Sequence, residues 1–91
     1  MIHTSQQAIE AAREILDQYQ IKHIEMGTSK PKAGYQHQAG ASAIDVWVVD
    51  YTYMVLQEED AFIYLNDQEE LKLIYIMNGH GYLTTNDLLM N

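Results

Sequence analysis

Hydrophobic positions follow two periods along this chain. Near the N-terminus Ala8, Ala12, Ile15, Leu16 and Tyr19 recur at helical spacing, with Ile9 at the edge of the stripe. Thr4 or Ser5 precedes them as an N-cap, which predicts an amphipathic helix over about residues 6–19. From Ile21 the period shortens to two. Residues 21–26 place polar side chains on both faces, as a short edge strand does. Residues 44–53 (Ile-Asp-Val-Trp-Val-Val-Asp-Tyr-Thr-Tyr) form the longest β-branched and aromatic run, and predict a central strand. Two further runs, 61–65 and 71–77, are separated by Asn-Asp-Gln-Glu-Glu, whose Asn and Asp favour a turn, and predict an antiparallel hairpin. Two glycines within 78–81 end the second run; a short strand resumes at Tyr82, and 86–91 predict a helical turn capped by Thr85 or Asn86, or a frayed end.

Between the edge strand and the central strand, residues 27–41 show no periodicity and hold Gly27, Pro31, Gly34 and Gly40. They predict a long mobile loop, with Lys30 and Lys32 making it locally basic and with Tyr35 and His37 as candidate ligand contacts. Ninety-one residues make one domain, 1–91. The expected fold class is α+β: one N-terminal helix packed on a curled antiparallel sheet of about four strands. One helix covers one sheet face, yet the central strands are apolar on both. The uncovered face therefore calls for curvature, a loop, a partner or a second copy of the chain.

Charge sharpens this picture. The net charge is −8. Residues 1–44 balance four acidic against four basic side chains, whereas 45–91 set nine carboxylates against Lys72 alone. Such a field repels nucleic acid and attracts basic surfaces, so nucleic-acid binding is not expected. The N-terminus lacks the basic and apolar regions of a secretory signal, and no apolar run reaches the ~20 residues a membrane-spanning helix needs. A cytoplasmic protein without membrane contact is expected.

Chemistry is sparsely signalled. There is no cysteine, no Gly-x-Ser-x-Gly, no His-Glu-x-x-His and no phosphate loop. His3, His23, His37 and His80 lack metal-ligand spacing, so neither a metal nor a cofactor is implied, and no catalytic residue is assigned. His80, between two glycines, reads as a turn histidine; as a base it would need Asp87 or Asp50 as an orienting carboxylate. The seven tyrosines and one tryptophan belong mostly to a core, but tyrosines beside acidic stretches also suit a patch that receives Arg or Lys.

Taken together, the N-terminal helix, the Trp-x-Val-x-aromatic strand at 45–51, the runs at 61–67 and 71–76 with an acidic turn between them, and the Gly-His-Gly-Tyr ending resemble small bacterial immunity proteins. These have a helix-plus-meander fold, similar to cystatin-like and PepSY-like domains, and are encoded beside polymorphic or contact-delivered toxins. The likeness spans residues 5–83. It implies a non-enzymatic inhibitor that binds a cognate protein toxin in the cytoplasm, with Trp47, Val49 and Tyr51 as core positions of the strand signature. The charge adds that the toxin is basic. Asp45, Asp50, Glu58, Glu59, Asp60, Asp67, Glu69 and Glu70 are the expected partner-binding carboxylates, with Tyr53 and Tyr64 as anchors. The alternative is a homodimeric α+β subunit of structural or small-ligand-binding role, its open sheet face buried between copies.

Overall fold

The computed structural model describes residues 1–36 and 39–89; His37, named above as a ligand contact, and Met90 and Asn91 of the expected tail lie outside the described residues. Helix α1 (Ser5–Gln18) starts at a capping box: Thr4 Oγ1 accepts from the Gln7 backbone N–H, and Gln7 Oε1 accepts from the Thr4 N–H. Five strands follow, β1 (Glu25–Tyr35), β2 (Ile44–Met54), β3 (Glu58–Asp67), β4 (Leu71–Asn78) and β5 (Gly81–Thr84), and then a short helix α2 (Thr85–Leu89). They form one antiparallel sheet in the order β1-β2-β3-β4-β5, so every strand pairs with its neighbours in sequence. The fold is α+β as expected, with one strand more than the four counted from sequence.

One face carries the main core. Ala8, Ala12 and Leu16 of α1 are fully buried against Trp47, Val49 and Tyr51 of β2, Ala61, Ile63 and Leu65 of β3, and Ile76 of β4. The small side chains at Ala8 and Ala12 let the helix axis approach the sheet. Leu88 of α2 closes the same core at the β5 side. Trp47, Val49 and Tyr51 thus take the core positions expected of them.

The loop expected at 27–41 is instead largely strand. Residues 25–35 pair with β2 from Glu25↔Thr52 to Tyr35↔Ile44, with register shifts between Met26 and Ser29 and between Lys32 and Tyr35. The short strand expected at 21–26 overlaps it only at Glu25 and Met26, and residues 21–24 are not strand. The composition of β1 hid it, and that composition has a cause. β1 is the sheet edge, where bulges, exposed lysines and a proline prevent pairing with other chains. Pro31 is tolerated because an edge strand needs only one side of its backbone, and Gly34 takes a φ of +68° in the second bulge. At the opposite edge, β5 is four residues long and α2 packs beside it. Neither edge is an open template for strand addition.

Gly27 is required by a close approach. A Cβ there would lie 2.5 Å from Asp50 Oδ2, and that carboxylate is held in place, accepting from the Thr28 N–H at 2.6 Å and from Thr28 Oγ1 at 3.1 Å. Gly27→Ala is expected to displace the carboxylate, break this pair of bonds and cost about 1–2 kcal/mol. Urea denaturation should show a lowered midpoint at unchanged slope.

Candidate functional site

The face opposite α1 has no helix over it, and its alternating residues cover it in two ways. Tyr35, Tyr64, Tyr75 and Tyr82 form a continuous row. Tyr64 stacks on Tyr75 with ring centroids 4.6 Å apart, Tyr82 meets Tyr75 edge-on at 5.0 Å, and Tyr35 lies 5.4 Å from Tyr64. The hydroxyls of Tyr35 and Tyr75 hydrogen-bond at 2.5 Å across the sheet. Val46 and Tyr75 are buried on this side, apart from the helix-side cluster. Val46 and Tyr75 thus make a second, thin core, with Tyr35 and Tyr64 half-buried beside them and Tyr82 exposed at its end. Burial first, then the bond to Tyr35, raises the Tyr75 pKa well above that of an ordinary phenol.

Beside the row the face stays open. Lys30, Lys32, Val48, Phe62, Tyr64 and Met77 line a groove of about 410 Å³. Register brings them together: Lys30 pairs with Val48, Val48 with Tyr64, and Phe62 with Met77. Lys32 Nζ stands 5.2 Å from the Tyr35 ring centroid. Among the described residues, neither lysine has a carboxylate within 4.0 Å.

The β2–β3 turn projects a different feature. Met54, Val55 and Leu56 are consecutive and 61, 55 and 99% exposed. Glu58, Glu59 and Asp60 follow after Gln57 and form the first rungs of β3. Met54 pairs with Glu58 and Tyr53 with Glu59. The hairpin thus ends in an apolar tip with a carboxylate collar.

The expected partner-binding residues do not form one patch. Asp45, Glu69 and Glu70 are exposed at the end of the sheet that carries the β3–β4 turn, about 30 Å along the strands from the tip. Asp50 is half-buried at mid-strand and engaged by Thr28. Tyr64 faces the groove and is packed on Tyr75.

Two assignments are corrected outright. Tyr53 is no exposed anchor: it lies on the helix side against the main core, its hydroxyl buried with no hydrogen-bond partner among the described residues. Asp67 is no surface carboxylate either. Its side chain is 1% exposed and accepts from the Ile2 N–H at 2.6 Å, the His3 N–H at 3.2 Å and His3 Nδ1 at 2.7 Å. Burial pushes its pKa up, but these three donors outweigh it and hold the carboxyl below the usual range. Asp67 clamps the N-terminus to the sheet.

No catalytic grouping is assembled from the candidates. His80 is exposed in the β4–β5 turn, its backbone N–H donating to Asn78 Oδ1 at 2.7 Å, as a turn residue does. The two carboxylates proposed to orient it are engaged elsewhere, Asp50 by Thr28 and Asp87 by the Thr84 N–H and hydroxyl. Among the described residues no group of three or more His, Asp or Glu side chains is placed to hold a metal. No helix among them is long and apolar enough to cross a membrane.

No known family model matches the chain, and neither a curated protein nor a solved structure does. Sequence reading had singled out the collar carboxylates but not the tip, although Met-Val-Leu between a strand and an acidic run was a usable signal. The groove had no local signal, since it exists only once β1 and β2 are in register.

Proposed function

We propose that the protein is a non-catalytic inhibitor of the immunity type, which binds a cognate basic toxin and occludes its surface with the β2–β3 end of the sheet. One observation carries the reading. Three consecutive apolar residues stand in solvent, one residue (Gln57) before three carboxylates, at the tip of a long hairpin. An exposed Leu56 has no role within the chain; in a partner's apolar pocket it is an anchor. Glu58, Glu59 and Asp60 around it supply the field that draws in a basic rim and speeds encounter. Both sheet edges are protected, which favours docking by the tip over strand addition. The resemblance of the sequence to immunity proteins supplies the class of partner.

The test uses the partner captured from the native host. Glu58→Lys/Glu59→Lys/Asp60→Lys should slow its association by an order of magnitude or more and flatten the salt dependence. Leu56→Asp should instead speed dissociation, at a cost of about 2 kcal/mol or more. The captured protein, expressed alone, should arrest growth, and co-expression of this chain should relieve the arrest. Unchanged binding by both variants would sink the docking surface, and a harmless partner would sink the immunity reading.

A further inference from the structure

From the hairpin tip and the open-face groove, we infer that the protein self-associates, the tip of one copy seating in the groove of another. The two features are complementary. The tip offers Met54, Val55 and Leu56 followed by Glu58 and Asp60, and both carboxylates occupy open-face positions of β3. The groove offers an apolar floor of Val48, Phe62 and Met77, with Lys30 and Lys32 at its edge. In a chain of net charge −8 these lysines, two residues apart on one strand, are a local cationic spot; no carboxylate among the described residues lies within 4.0 Å of either, and the one beside Lys30 in the adjoining hollow, Asp50, is engaged by Thr28. Phe62 is 39% exposed there, so seating the tip removes apolar surface from water on both partners.

A chain does not fill its own groove. β2 and β3 pair without interruption from Val46↔Asn66 to Met54↔Glu58, which holds the tip roughly 20 Å along the strand from Val48. The occupant is a second copy. Reciprocal seating closes a dimer, whereas one-way seating extends a chain of copies. On the inhibitor reading above, the contact also has a regulatory consequence. A tip seated in a sister groove is shielded from solvent and must be released before it docks elsewhere.

Sedimentation velocity on the full chain, from low micromolar to near-millimolar concentration, tests this without any partner. The wild type should show a sedimentation coefficient that rises with concentration, less so at high salt. Lys30→Glu/Lys32→Glu should weaken self-association about tenfold or more, and so should Glu58→Lys/Asp60→Lys. Both pairs are surface substitutions, and circular dichroism checks that each variant folds. Mixing the two variants should restore association, because each then presents an opposite charge to the other. A wild type that stays monomeric throughout would overturn the inference and leave the groove to a different occupant. Association indifferent to both variants, or unrestored by mixing, would overturn it as well. The inhibitor reading has a separate readout, since Lys30→Glu/Lys32→Glu should retain docking to the captured toxin.

Discussion

Replacing Tyr75 by alanine should cost about 3–5 kcal/mol, a large part of the stability of a 91-residue chain. Tyr75 is the keystone of the open face. It is 3% exposed, stacked on Tyr64, met edge-on by Tyr82 and bonded to the Tyr35 hydroxyl. Truncation removes all three contacts and leaves a cavity that the sheet backbone cannot close. Tyr75→Phe separates the ring from the hydroxyl. It should cost only about 1 kcal/mol, the worth of one hydrogen bond. Alkaline pH gives an independent check. A phenol with a raised folded pKa keeps its contribution below about pH 10, where unfolded tyrosine begins to ionise, and loses it as pH climbs towards the raised value. The wild type should therefore lose stability above pH 10 more steeply than Tyr75→Phe. Equal slopes would show that the tyrosine row is not the source.

Asp67→Asn should destabilise by about 2–3 kcal/mol at neutral pH. The carboxylate accepts three hydrogen bonds from the first residues of the chain, and the amide of asparagine turns a donor towards donors. The sign of the pH dependence follows from its lowered pKa. Stability from a depressed carboxyl is complete above the unfolded value and drains away as pH falls through the folded one. The gap between wild type and Asp67→Asn should thus be full at pH 7 and close in strong acid. A gap that persists unchanged near pH 2 would mean that packing, not charge, holds the N-terminus.

The helix and the strands β2, β3 and β4 were readable because each satisfies its pattern locally. Ala8, Ala12 and Leu16 repeat every four residues, and Trp47, Val49 and Tyr51 every second. β1 was not readable, since an edge strand is selected against looking like one: Lys30, Pro31, Lys32 and Gly34 serve to discourage pairing, and only the ladder to β2 reveals them as strand. Asp67 was misread for another reason. Its partners lie 64 and 65 residues away, and no local pattern encodes a bond to the N-terminus. Tyr53 was misassigned through parity. It shares the face of Val49 and Tyr51, which the alternation had already given, so its burial on the helix side was legible in principle. The acidic collar was legible from composition, the apolar tip only in part, and the groove not at all.

The neighbour-to-neighbour order of the sheet governs how quickly this fold can form. Turns at residues 55–57, 68–70 and 79–80 join successive strands, so most of the ladder closes through short excursions of chain and little loop entropy opposes it. Contact order is accordingly low for a mostly β protein, and folding should be fast for its class. Helix α1, packed across β2, β3 and β4, is one long-range exception, and the clasp of Ile2 and His3 on Asp67 is another. The clasp joins the first residues to the end of β3, and it stands to form only after the hairpins that create its binding place.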